Sequence, residues 1–501
     1  MALAAARRDV ALRDVVLSGR PFGAALGDFL FAPAEQALRQ WFGEARPRRL
    51  REALDRDIVA IDALISAQLD AILHHPRLQR LEGRWRGVEW LTALAERGRW
   101  TRVKLRILNV SWTELARDLA RAAEFDQSET FRKVYEEEFG RAGGEPYGVM
   151  VVDHELRHAP APREATDIRA PTDDVDMLEQ LRGIAAAAFV PMVFGASPAL
   201  LGFDSFSEME RAQDPAGALS DAAHTRWNAL TGRRDTEFLA VALPRVLARL
   251  PWEDDGRHGM AFRYTEYAPG STERVWTGAG FAFAAVVARA FTEHGWPADV
   301  RGADTDRVGG GLVTGLPVEW FGTDPPGTWP RLPLEVVLTD SQERALADAG
   351  LMPLGALPFG AELLFGVVRS LRRPDRYTGP QAEFADANAR LSLQINSVLC
   401  AARFAHLLKI MARDMVGSVV TPEEMERRLE EWLNGYVNGN LSGGPESRAR
   451  YPLVQGRVEV RELKGRPGAY GCTMHLQPHF QLDDVGASFS LTTEVTRATA
   501  A

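Results

Sequence analysis

Tyr147-Gly148-Val149-Met150-Val151-Val152 is the stretch on which the reading of the fold turns. The run is apolar throughout, with no polar alternation, as in a strand covered on both faces; such strands belong to parallel sheets shielded by helices. Downstream, Asp174 caps a helix that continues through Ala188, and Pro191 to Phe194 begins another strand. Upstream, Val103, Leu105, Ile107 and Asn109 alternate with Lys104, Arg106 and Leu108, the pattern of a strand exposed on one face. Ser111-Trp112-Thr113-Glu114 is a capping box that opens the next helix. A further helix, Glu129 to Phe139, ends at Gly140. Strands that alternate with helices predict an α/β layer with at least some parallel pairing.

Working outward, residues 1–50 read as an assembly arm, because apolar clusters such as Val15-Val16-Leu17 and Phe29-Leu30-Phe31 are broken before a long period develops. From about Arg51 to His74, Ile58, Ile61, Leu64, Ile65, Leu69 and Ile72 recur at three- and four-residue steps and build one apolar stripe of a helix. Residues 51–380 form the α/β portion. It includes a helix from Gly278 to His294, a strand Leu334 to Leu338, and a short helix capped by Thr339 or Asp340. Residues 381–501 differ in character. Leu391 to Met415 reads as one long helix, and Thr421-Pro422-Glu423-Glu424 starts another with Pro at its first position. Strands Arg457 to Leu463 and Tyr470 to Gln477 flank the turn Lys464 to Gly468, and a last strand places Ala487, Phe489, Leu491, Thr493 and Val495 on one face. The class is therefore α/β in a mixed, α+β sense.

At 501 residues the chain exceeds one ordinary core. A hydrophobic share of 46% and a net charge of -9 fit a folded chain and exclude a general nucleic-acid binder, which needs a basic surface. Cys400 and Cys472 are too few for a disulfide framework, which fits a reducing compartment. Arg7, Arg8, Asp9, Arg13 and Asp14 stand where a signal peptide needs an apolar run. No run of about 18 apolar residues predicts stable membrane insertion. A cytoplasmic location is expected.

The sharpest chemical motif is His154-Glu155-Leu156-Arg157-His158, a literal HExxH, with Glu179 as a candidate third ligand. In zinc peptidases this spacing puts two histidines one helical turn apart while the Glu activates water. Here it follows a strand, and Ala159-Pro160-Ala161-Pro162 forbids a helix through it. Gly309-Gly310-Gly311-Leu312-Val313-Thr314-Gly315 lacks the Lys-Ser/Thr of a phosphate loop, and Pro317 stands where the helix should begin; a tight backbone turn is expected. His74-His75 reads as a helix C-cap whose imidazole bonds free carbonyls. His475 and His479 lack a partner at ligand spacing, Cys400 reads as core, and no GxSxG is present. No catalytic, cofactor or metal site survives. What survives suits assembly: terminal strands open to pairing, and a row of Arg403, His406, Lys409 and Arg413 along one helix, which reads as a basic ridge or a solvated face.

A family likeness runs through the chain in order. Ala67-Gln68-Leu69-Asp70-Ala71-Ile72-Leu73-His74-His75-Pro76 precedes Leu81-Glu82-Gly83-Arg84-Trp85-Arg86-Gly87. Next come Glu124-Phe125-Asp126-Gln127-Ser128, Tyr135-Glu136-Glu137-Glu138-Phe139-Gly140 and Gly144-Glu145-Pro146-Tyr147-Gly148. Gly202-Phe203-Asp204-Ser205-Phe206, Leu243-Pro244-Arg245 and Gly315-Leu316-Pro317-Val318 follow, and then Asn388-Ala389-Arg390-Leu391-Ser392, Arg403-Phe404-Ala405-His406 and Pro478-His479-Phe480-Gln481-Leu482-Asp483. Each is short, but the ordered set resembles the large subunit of the type VI secretion contractile sheath.

The resemblance implies a contractile-tail-sheath-like fold, with mixed sheets flanked by helices and terminal strands exchanged between protomers. It implies a structural protein that pairs with a small sheath subunit. The heterodimers stack with other protomers in a helical lattice around an inner tube protein. The sheath assembles on a baseplate, and an AAA+ ATPase disassembles it. On this reading the ridge at Arg403, His406, Lys409 and Arg413 faces the tube. Two alternatives are a zinc hydrolase using His154, Glu155 and His158, and a phage-like injection sheath. The chain departs from the pattern in its first 50 residues, at Thr314 where an acidic residue is expected, and at Glu319-Trp320. These departures imply a divergent paralogue.

Overall fold

The computed structural model describes residues 11–19, 25–43, 47–141, 143–160, 172–257, 262–303, 308–320, 330–357, 360–375, 377–379, 382–415, 421–440, 444–462, 470–479 and 489–495. The turn Lys464 to Gly468, the stretch Phe480 to Asp483 and Ala487 lie outside them. The chain falls into two compact units, residues 1–82 with 249–275 and residues 83–248 with 276–501.

The first unit is helical. Its longest helix, Leu50–Leu73, carries the apolar stripe seen in the sequence. Among its side chains only Ala53 and Asp57 are buried, and Ile58, Val59 and Ile72 are each more than half exposed. Asp57 fastens the preceding short helices. Its carboxylate accepts from Arg13 Nε at 2.8 Å and from Trp41 Nε1 at 2.9 Å. A second acidic hub, Glu266, accepts from Arg249 Nη1 at 2.6 Å and from the Trp252 amide at 2.9 Å. Arg249 also donates to Glu82 at 2.6 Å. The His74 ring turns to Glu266 at 3.2 Å instead of capping carbonyls, and the His74 amide bonds to Asp70 O. A buried carboxylate outbids a helix end because desolvated charge needs a close partner.

The second unit is built on a parallel sheet, β1 (Met150–Leu156), β2 (Met192–Ala196), β3 (Leu239–Leu243) and β4 (Met352–Pro353), in that spatial order. Met150 pairs with Met192, Met192 with Leu239 and Ala242 with Met352, all in parallel. The parallel layer expected from Tyr147 to Val152 is present, but the strand starts later and runs longer. As the edge strand, β1 is only half-buried, whereas the central strand β3 is buried at every position. The helix Ala279–His294 packs close to the sheet: a Cβ added at Gly280 would lie 3.0 Å from Val151 Cγ1.

Three expectations are corrected. Residues 103–110 form no strand, because nothing in the described chain pairs with them. Leu334 to Leu338 is reduced to a single bridge, Val246 to Leu334. The long helix is two, Ala382–Ser392 and Ile395–Met415, because the break is stitched to the 368–370 segment: Ser370 N bonds to Leu393 O and Ile395 N to Val368 O. Ile395–Met415 is also long and apolar enough to cross a membrane, yet it is a mostly buried core helix.

At the C-terminal end β5 (Leu453–Glu462), β6 (Tyr470–Pro478) and β7 (Phe489–Val495) form an antiparallel sheet in that order. Val458 faces Met474 and Val460 faces Cys472, so one face buries these four. The helix Pro422–Asn434 covers this sheet, with Glu426 accepting from the Val460 amide at 2.8 Å.

Candidate functional site

The HExxH lies on β1 and the bend after it. In a strand, neighbouring side chains point to opposite faces, so His154 and Glu155 part company. His154 stacks on Trp112 with ring centroids 4.0 Å apart, and its Nε2 donates to Asp174 Oδ1 at 2.9 Å. The same carboxylate accepts from Trp112 Nε1 and from the Arg157 amide, each at 2.9 Å. Glu155 is paired with Arg245, which also reaches Glu335. Burial works against the Arg245 charge, but the hydrogen bond and charge of Glu155, backed by Glu335, outweigh it and raise its pKa. His158 Nδ1 donates to Ala199 O at 3.0 Å, and its ring lies 4.0 Å from that of His224. Glu179 pairs with Arg182 at 2.8 Å. Each member of the supposed zinc set is committed to a different structural partner. No cluster of three or more metal-ligating side chains occurs among the described residues.

The glycine run is a backbone crossing. Gly310 has φ +59°, and a Cβ there would meet Gly302 O at 2.3 Å; one at Gly311 would meet Phe365 O at 2.2 Å. The amides a phosphate would need are taken. Gly310 N donates to Asp299 at 3.1 Å and Gly311 N to Gly302 O at 2.7 Å. Arg289 holds Gly310 O and Leu312 O at 2.7 and 2.6 Å.

The row on Ile395–Met415 is not an exposed ridge. His406 is fully buried and its Nε2 donates to Ala188 O at 2.9 Å. Burial, helped by the charges of Arg403 and Lys409, pushes its pKa down to about 4. Lys409 reaches the Tyr135 hydroxyl and sits over the Tyr135 and Phe139 rings, 4.5 and 4.9 Å from their centroids. Arg413 donates to Phe139 O and Arg141 O, and Arg403 lies over the Phe291 ring. The three- and four-residue spacing places the row on one helix as expected, but Lys409 and Arg413 clamp the Glu129 to Phe139 helical segment to the core, which a charge count along one helix does not reveal. Cys400 is buried, and burial pushes its thiol up to about 12, which makes it a core residue.

What the described residues offer instead are edges. β7 closes the C-terminal sheet on one side, and residues 103–110 run free of the sheets. The tail sheath N-terminal domain of the EvpB/VC_A0108 family matches residues 55–372, and the family's tail sheath gpW/gp25-like domain matches residues 384–495. The chain belongs to the EvpB/VC_A0108 tail sheath family. It is 33% identical over 452 residues to the type VI secretion system sheath protein TssC1 of Pseudomonas aeruginosa, across 89% of this chain and 86% of that protein. The sheath tail protein of Desulfitobacterium hafniense is similar at 10% identity over 67% of this chain and 65% of that chain, with a TM-score of 0.27. Membership in the EvpB/VC_A0108 family makes this a structural sheath protein and implies co-assembly with sheath partners. The likeness read from the ordered motifs stands.

Proposed function

We propose that the protein is the large structural subunit of a type VI secretion sheath, which co-polymerises with a small sheath subunit around an inner tube and contracts to drive it forward. The observation that carries this is the match of both sheath domains, in order, across residues 55–495. An inner tube protein, a baseplate and an AAA+ disassembly ATPase are the further partners of this reading, and the cytoplasm of a bacterium is its location. Residues 1–50 act as the assembly arm, 51–380 as the main sheath body and 381–501 as the sheath core. The strand bearing Phe489, Leu491, Thr493 and Val495 pairs across protomers through the open edge of β7. With Arg403, His406, Lys409 and Arg413 held by partners within the protein, this reading gives the row no contact with the tube.

The protein needs no catalytic residue in this role, because the work is stored in the extended lattice. The dispersal of His154, Glu155 and His158 among separate partners supports that reading. Metal analysis of purified protein should find well under one zinc per chain, and stoichiometric zinc would restore the hydrolase alternative. The deciding test is co-expression with a small-subunit candidate and negative-stain electron microscopy. Cogwheel-section tubules that need both chains are expected; a soluble monomer under those conditions overturns the polymer role. Tubules formed by this chain alone would instead indicate a phage-like sheath.

A further inference from the structure

Residues 103–110, Val-Lys-Leu-Arg-Ile-Leu-Asn-Val, run without helix, turn or bend between the helices Pro76–Arg97 and Trp112–Arg121. From Lys104 to Val110 no backbone amide or carbonyl is bonded to another described part of the chain. Unpaired backbone is a template for strand addition. The side chains are already set for it. Lys104 is paired with Glu145, while Arg106 is paired with Glu138 and bonds the Tyr147 hydroxyl at 3.2 Å. These ion pairs tie the segment to the body while its apolar side chains stay open to solvent, Leu105 at 43% and Ile107 at 63%. Leu108 and Val110 are exposed as well, so the uncharged run Ile107 to Val110 is left bare beside Leu105. Bare segments of that kind aggregate unless something covers them.

We propose that residues 103–110 are a docking strand, completed by an extended segment of a different protein chain that carries apolar side chains at alternate positions. The inference rests on the sheath reading for the existence of a co-assembling chain. A second copy of the same segment is the wrong occupant on two grounds. A two-fold pair centred on position 106 sets Arg106 against its own copy, and one centred on position 105 sets Lys104 against Arg106; like charges directly opposite destabilise a ladder. A self-complementary pair also closes a dimer, whereas a helical tube needs contacts that propagate.

The test places a photo-reactive phenylalanine at position 107 of the full chain in co-assembled tubules and identifies the cross-linked product. Cross-linking to the other sheath chain is expected, together with slowed amide exchange over 104–110 in the tubules. Ile107→Pro, which removes one ladder donor, should weaken co-purification of that chain about tenfold, while Ile107→Val retains it. A cross-link to a second copy of this chain overturns the assignment, as does none with rapid exchange of 104–110 in intact tubules. Absence of tubules from the unmodified pair removes the sheath reading and this inference with it, so the two failures are distinguishable.

Discussion

Asp174 is the residue on which the region around β1 depends most. Its carboxylate is the common acceptor for Trp112, His154 and the Arg157 amide. Asp174→Ala leaves three donors without a partner, and we expect a loss of about 3 kcal/mol in urea unfolding, with little change for the more exposed Glu179→Ala. His406 gives the protein a directional response to acid. Buried and neutral, it takes a proton only near pH 4, whereas in the unfolded chain it does so near its usual 6.5. Between those values the unfolded state binds more protons, so stability is complete above pH 6.5 and falls as pH drops through the window, by up to about 3 kcal/mol. In H406Q, which keeps a donor for Ala188 O, the unfolding midpoint should fall less between pH 7 and pH 5. Glu343 acts in the opposite sense. Burial, aided by Asp340, raises its carboxyl to about 7, so it favours the folded state at low pH and withdraws that support as pH rises from the usual carboxylate range through 7. At Gly310, positive φ and a carbonyl 2.3 Å from a would-be Cβ make Gly310→Ala destabilising by about 3 kcal/mol or more, readable as a lower thermal midpoint. The sequence spelled out that glycine requirement plainly. It did not disclose which residues Lys409 and Arg413 clamp, because those partners lie some 270 positions away.

Elements were legible where their determinants are local and illegible where pairing decides. The capping box at Ser111 forms as the spacing requires, and Thr339, one of two candidate caps, closes a second box with Gln342. The Leu50–Leu73 and Ala279–His294 helices fall within about a turn of the sequence reading. By contrast, the alternation at 103–110 is that of a strand, but a ladder needs a second chain segment, and the described protein supplies none. The break before Ile395 is the converse case: helix propensity continues through Leu393 and Gln394, and backbone bonds to the 368–370 segment override it. Leu393→Pro at this break should therefore cost less stability than Ala402→Pro, which would interrupt the buried helix; comparing soluble yield of the co-expressed complex measures the difference. The HExxH misleads for the same reason. Its chemistry requires helical spacing, and β1 gives those residues a strand's alternation instead.

At the scale of the whole molecule, the parallel core, the C-terminal antiparallel sheet and the sheath family were all readable from the ordered motifs and their flanking patterns. The division into two units was not, because residues 249–275 join the first 82 only through contacts such as Arg249 with Glu82 and Glu266. That hub makes a prediction of its own. Arg249→Ala removes the cation that Glu82 and the almost fully buried Glu266 share, and should cost about 3 kcal/mol and expose the 249–275 segment to limited proteolysis. The long helix of that unit bears a further consequence. A newly made chain displays Ile58, Val59, Ile65 and Ile72 to its surroundings. In the sheath role proposed above, a chain released before its partners are made would offer this bare helix to chaperones and proteases. On that reading the cell has reason to translate the co-assembling chains from one message, in matched numbers and close together, and to degrade whichever copies are left unmarried.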